Sequence, residues 1–437
     1  MDYKKRKTKR IKVNQSGDRK QTAVSSQDKP ERINMKRSPH ASRRVRTDEQ
    51  IGQNTESVRH VHIIEGGLKK NTKRRRQSLI IATTAVVIIV LIIIINAALP
   101  TGLIEWSQNK FSGIGSGGGL PVSVSGDRID DFRSRGSELF IMSESYMYAY
   151  NKSGKRITTV QHGYNSPRLE LSSTRSLIYD RGSYSLRVDT LYTNFIDTQL
   201  DNKIITADIC DKGYVAVATD SNDYSAEVTV YDSEFKSLFR WSTASGQVST
   251  LKLSPNGEYL AASVVSGKNG DYSSEINIFE IKSGSRIFTK EYGGSMFVRS
   301  SADNKYVTFI GVDNSVTLPY NGTSERNNDF YRLEYFDSSR YENMVAAYHP
   351  DGDDRRYTVS VIGNDGVIKA SLNLQGDVGR VCSDGNNIYT YNSGVINKYD
   401  FDGNKLNSYE TGYEYVFITA FKKGVGVTHD MKLDYYS

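Results

Sequence analysis

His162, His349 and His429 are the imidazoles of the C-terminal three-quarters of the chain, separated by 187 and 80 residues. A zinc or general-base centre needs ligands that converge, and these spacings offer no recognisable set, so each reads as a packed or surface histidine. His60 and His62 form a His-x-His pair with no further ligands nearby. Two acidic turns, Asp220-Ser221-Asn222-Asp223 and Asp351-Gly352-Asp353-Asp354, carry oxygen ligands of the type Ca²⁺ takes. Both lack the distal bidentate Glu of a full calcium loop and read as Asx turns. No Gly-x-Ser-x-Gly elbow or phosphate-binding glycine loop is present. Cys210 and Cys382 occupy comparable positions in units of a sequence repeat, about four units apart and too far for a disulfide, and read as small buried residues. The sequence therefore nominates no catalytic, cofactor-binding or metal-ligating residue.

The elements that would position any site divide sharply by charge. The chain has 437 residues, 57 Lys plus Arg, 50 Asp plus Glu and a net charge of +7. Of these, 23 basic and 8 acidic residues precede Leu79, a net of +15, which leaves 34 basic against 42 acidic, −8, in the remainder. A basic tail is joined to an acidic body. With 37% hydrophobic residues and a mean hydropathy of −0.52, a many-helix transporter is excluded.

Between the halves, residues 79–99 hold no ionisable group over 21 positions. A helix of that length spans roughly 30 Å, the hydrocarbon thickness of a bilayer. About 78 residues precede it, which does not fit a cleaved signal peptide. Lys69, Lys70, Lys73, Arg74, Arg75 and Arg76 crowd its N-terminal side. The positive-inside rule then places residues 1–78 in the cytoplasm and the body outside, a single-pass cell-membrane topology. Within the run only Asn96, Thr83 and Thr84 are polar, so it reads as an anchor and not an ion path. Residues 1–78 contain one aromatic residue, Tyr3, and read as disordered. Their basic clusters suit anionic inner-leaflet lipid. Without interleaved aromatics to stack on bases, nucleic acid is disfavoured. Residues 100–119, with the run Gly113–Gly119, read as a flexible Gly/Ser-rich linker that lets the next domain stand off the bilayer.

From residue 120 to 437, short alternating runs of Val, Ile, Tyr, Phe and Thr are broken every 8–12 residues by turn pairs, the pattern of an all-β domain. The segment Ser254-Pro255-Asn256-Gly257-Glu258-Tyr259-Leu260-Ala261 returns in altered form from Cys210, Ser301 and Cys382. A second element, Tyr150-Asn151-Lys152-Ser153-Gly154, returns from Tyr231 and Tyr399. Together they give four strands per roughly 40 residues, the unit of a β-propeller blade. First strands near Asp130, Leu169, Asp208, Leu253, Val298, Leu333, Val381 and Phe417 predict eight blades, with seven as the fallback because 316–337 parses poorly. The strand 120–125 is in excess and the last unit is one strand short, so the N-terminal strand is expected to complete the C-terminal blade.

The Ser254–Ala261 hairpin resembles the TolB-type repeats of WD40-like and quinoprotein-like propellers of bacterial envelope proteins. The whole plan resembles an uncharacterised membrane-anchored propeller family of Firmicutes. There is no Gly-His…Trp-Asp pair, and with only Trp106 and Trp241 the docking tryptophans of quinoprotein dehydrogenases are missing. The resemblance implies a fold and no chemistry. The expectation is a noncatalytic extracytoplasmic module that binds a protein or envelope polymer. The alternatives are a propeller enzyme acting on envelope glycans or peptides, and a transmembrane sensor.

Overall fold

The computed structural model describes residues 72–98 and 102–437, apart from 112–114, 116, 125–127, 269, 339–342, 351, 352, 354, 378, 413–415, 422 and 430. The tail before residue 72, with Lys69, Lys70, His60 and His62, lies outside the described residues. Helix α1, Thr72–Ala98, takes Lys73, Arg74, Arg75 and Arg76 into its first turn ahead of the apolar run, since Lys, Arg and Gln are good helix formers. The described side chains of its apolar stretch, from Leu79 to Ile95, are exposed. Asn96 accepts a hydrogen bond from the Leu103 amide at 2.7 Å, which supplies one of the acceptors that the first turn of α2, Leu103–Phe111, would otherwise lack.

The body is eight four-stranded antiparallel sheets arranged as successive blades. Their innermost strands are Ile129–Arg135, Pro167–Leu171, Ile204–Ile209, Gln247–Leu253, Phe297–Ala302, Arg332–Asp337, Arg380–Ser383 and Phe417–Phe421, in blades 1 to 8. Each expected first-strand position falls in one of them. The expected closure also holds: Val122–Ser123 pairs with Lys432–Tyr436 as the outermost strand of blade 8. The region that parsed poorly contains Arg326–Asp329, a four-residue outer strand of mostly exposed polar residues with no alternation to read. Every blade junction has its own buried apolar cluster. The junction between blades 3 and 4 unites Val228, Val230, Leu251 and Phe279, whereas that between blades 5 and 6 rests on Phe330, Met344, Ala346 and Ile362.

Because neighbours are antiparallel, the starts of the inner strands share one face with the second-to-third and blade-to-blade connections; this is the loop side. The tight first-to-second and third-to-fourth turns occupy the other, the turn side. Those turns explain the repeat. Ser254 Oγ accepts the Glu258 and Tyr259 amides at 3.0 and 2.9 Å. Asp303 and Asp384 do the same at the equivalent place for Tyr306 and Asn387. Gly257 sits at φ +68°, and a Cβ there would lie 3.0 Å from the Lys212 and Tyr214 side chains, so this turn requires glycine. The same register corrects one detail. Cys210 occupies the Ser254 position, with its amide bonded to Tyr214 O, but Cys382 pairs with Tyr389 two places earlier. Both thiols are buried and free, and burial pushes Cys210 up to about 12 and Cys382 upward as well.

The segment read as a flexible linker is laid along the turn side. Helix α2 is pinned by Glu105, which accepts from Arg175 Nη2 and Nε at 2.7 and 3.0 Å. Arg175 also donates to Ser233 O at 2.8 Å and lies 4.0 Å over the Phe195 ring. Further on, Gly115 O accepts from Asn151 Nδ2, and the Gly117 amide donates to Ser153 Oγ. A Cβ on Gly117 would fall 2.3 Å from Ser153 O. Glycine is used here for close backbone approach rather than looseness. The strap thus runs from blades 2 and 3, under blade 1, into blade 8.

Candidate functional site

The eight inner strands surround a central channel of about 1210 Å³. Five of them, in blades 1, 3, 4, 5 and 6, carry a bulge one or two residues after their first paired residue, at 130, 205, 249, 298 and 334. A bulge re-aims the residues beside it, and each lies at the loop-side end of its strand. Sequence gave no sign of these bulges, which place no residue type of their own.

Two ion-pair groups in the channel cross between blades. Arg133 of blade 1 donates to Asp131 Oδ2 at 2.8 Å and to Glu170 Oε2 of blade 2 at 3.0 Å. Burial works against its charge, but Asp131 and Glu170 outweigh it and hold the guanidinium above its ordinary value. Lys252 of blade 4 donates to Asp208 Oδ1 of blade 3 at 2.7 Å, while Asp208 Oδ2 accepts the Leu253 amide at 2.8 Å. Arg133, Glu170, Asp208, Lys252 and Asp337 hold equivalent register positions in their blades.

Asp337 of blade 6 differs from the others. Its Oδ2 is buried with no hydrogen-bond partner among the described residues. Burial pushes this carboxyl up to about 7 against the opposing pull of Arg133 and Arg299. An unfolded aspartate titrates near 3.9, so between about 4 and 7 the native state holds the extra proton. That contribution to stability is full below about 4 and is lost as pH rises through 7. Asp337→Asn should therefore melt a few degrees above the parent at pH 8 and nearly match it at pH 4. Equal differences at both pH values, by calorimetry, would refute the assignment.

At the loop-side end, Arg380 of blade 7 lies between Tyr335 of blade 6 and Phe417 of blade 8, 5.1 and 4.8 Å from their ring centroids. Exposed tyrosines Tyr184, Tyr224, Tyr272 and Tyr331 stand on the same face, on second-to-third or blade-to-blade connections or at the strand ends beside them. The exposed apolar residues of the turn-side rim, Phe195, Leu238, Ile287 and Leu406, have a structural origin. Each is the extra residue of a bulge in an outer strand.

The three body histidines lie in different blades or connections. His162 accepts the Tyr164 amide at Nδ1, which leaves Nε2–H for Ser143 O at 3.1 Å. Its burial lowers its pKa. His349 is buried and donates through Nδ1 to Arg356 O, and His429 is buried in blade 8. Asp220 accepts the Lys203 amide, and Asp353 accepts Arg355 N and Arg356 Nε. Asp351 and Asp354 lie outside the described residues. Among the described residues no three His, Cys, Asp or Glu side chains form a group able to hold a metal ion.

A family model described as a family of unknown function, DUF5711, matches residues 122–433. Among curated proteins none matches. Similar solved structures include BamB from Moraxella catarrhalis, at 11% identity and TM-score 0.48, covering 73% of this chain and 100% of that one. The computationally designed Ika8 protein aligns at 12% identity and TM-score 0.53, over 72% of this chain and 98% of its own. The Cps50 (Swd1) propeller domain of Myceliophteria thermophila aligns at 10% identity and TM-score 0.43, over 72% and 98%. At such identities the likeness is one of fold alone.

Proposed function

With a match that spans well over half its length, the chain belongs to the DUF5711 family, and from that premise we propose that it is a membrane-anchored, noncatalytic binding module. In this reading the propeller stands outside the cell membrane and engages a protein or envelope polymer, while the basic tail meets anionic inner-leaflet lipid. The observation that carries the binding role is the state of the channel's charges. Five of the charged groups that line it, Asp131, Arg133, Glu170, Asp208 and Lys252, are tied into two ion-pair groups that bridge blades. Groups so paired position strands and are not poised to exchange protons. Anchoring is supported by α1, whose apolar run from Leu79 to Ile95 is exposed and long enough to cross a bilayer. Because α2 follows α1 and is held on the turn side, the loop-side face with its tyrosines is turned away from the anchor.

A membrane-impermeant amine cross-linker applied to intact cells, followed by isolation of the full chain, tests this reading. Reproducible adducts through the propeller, with none through residues 1–71, are the expected result. Adducts confined to the tail, or none anywhere, would overturn it.

A further inference from the structure

Among the described residues, six cationic side chains line the channel. Arg133 and Lys252 are occupied by carboxylates. Arg168, Arg181, Arg299 and Arg380 have no carboxylate within ion-pair distance among the described residues; Arg168 donates to Pro167 O at 3.1 Å and Arg299 to Phe336 O at 3.3 Å. All four lie toward the loop side, three of them near the start of an inner strand and Arg181 just after the second strand of blade 2. The remaining acids of the lining do not balance them. Asp130 is held by Arg128 at 2.9 Å. Asp211 and Asp303 accept backbone amides in turn-side loops, and Asp337 is shifted toward its neutral form. A mouth with four unbalanced guanidiniums above carboxylates that are paired, bonded to amides or, in Asp337, shifted toward neutral concentrates positive potential, and low-dielectric walls focus that potential along the channel.

Arg380 is also built for recognition. Its guanidinium carbon lies over aromatic faces from both neighbouring blades, as in cation–π contacts. This fixes its planar fork while leaving the in-plane N–H groups available, the arrangement that suits bidentate contact with a carboxylate or phosphate. Arg168, Arg299 and Arg380 occupy equivalent register positions in blades 2, 5 and 7, opposite Tyr179, Ile310 and Tyr391. They therefore ring the mouth rather than cluster on one wall, which favours a ligand bearing several separated charges over a single small ion.

We propose that the loop-side mouth of the central channel binds a polyanion, a ligand carrying two or more carboxylate or phosphate groups, with Arg380 as its anchor. This rests on the reading of the propeller as a binding module and names the chemistry of what it binds.

The test uses the detergent-solubilised full chain at low salt, with tripolyphosphate as the phosphate probe and citrate as the carboxylate probe. Hydrogen exchange separates the channel from the basic tail. Protection of the segments around 297–302 and 380–383 by at least one probe is expected, fading as salt is raised. The probe that protects at lower concentration identifies the anion type. Arg380→Ala should raise the concentration needed at least tenfold, and Arg380→Lys should not restore it. Arg299→Ala, at a site independent of the aromatic sandwich, should weaken protection severalfold. Protection confined to the tail, or unchanged in both alanine variants, would overturn the proposal. Such a result together with persistent propeller cross-links in cells would leave the binding-module reading standing, so the two fail separately.

Discussion

Replacing Arg175 by alanine is expected to detach α2 from the turn side of the propeller. The Arg175 side chain is 5% exposed and that of Glu105 is 18% exposed, so the pair is largely withdrawn from water and its bidentate geometry is of the strong, charge-assisted kind. A hydrogen bond to a charged group contributes about 1.5–3 kcal/mol, which corresponds to roughly a ten- to hundredfold change in the fraction of molecules with the helix undocked. Because α2 can move into water, Glu105 need not remain buried without a partner, and the larger penalty of a stranded charge is avoided. Glu105→Ala is the cleaner variant, since Arg175 keeps Ser233 O and the Phe195 ring. Limited proteolysis within 103–111 should accelerate by one to two orders of magnitude in both variants. Unchanged cleavage in both would mean that the glycine contacts further along, and not this ion pair, fix the strap.

Phe297→Ala should be among the most damaging apolar truncations in the body. Phe297 is fully buried at the junction of blades 4 and 5. It meets the Tyr292 ring edge-on at 5.5 Å and the Phe309 ring at 6.0 Å. Its amide is held by Ser274 Oγ at 3.0 Å, so the backbone cannot easily shift to fill the space. Truncating a buried Phe costs about 3–5 kcal/mol, the transfer term plus the cavity term. Leu238→Ala removes an apolar side chain that is 47% exposed at an outer bulge and should stay within about 0.5–1 kcal/mol. Urea unfolding of the two variants measures the contrast. Equal midpoints would show that the junction repacks.

The blade count was legible because each blade repeats its turn chemistry locally. Asn151, Asp232 and Asp400 each accept an amide four residues on, and such residues announce themselves in a short window. The outer strand 326–329 was not legible, because exposed polar residues at a sheet edge carry no periodic signal. The strap was misread for a different reason. Gly115, Gly117 and Gly119 have the composition of a flexible spacer, and the demand for close approach to Ser153 exists only once blade 1 is folded. The channel was the least legible part. Arg168, Arg299 and Arg380 are 131 and 81 residues apart, and the ion pairs that leave them unbalanced join blades rather than neighbours in sequence. Chemistry assembled from one residue per blade leaves no motif.

The closing strand has a bearing on how the molecule is made. Val122 pairs with Leu433 across roughly 310 positions, among the most sequence-distant pairings in the fold, and contacts of such high order form late because the loop must close before they return any energy. Synthesis delivers α1 and the strap first and blade 8 some 300 residues afterwards. Until then the edge of Val122–Ser123 is unpaired at the rim of a growing ring. The interval between those two events is when a chaperone or a protease has its opportunity.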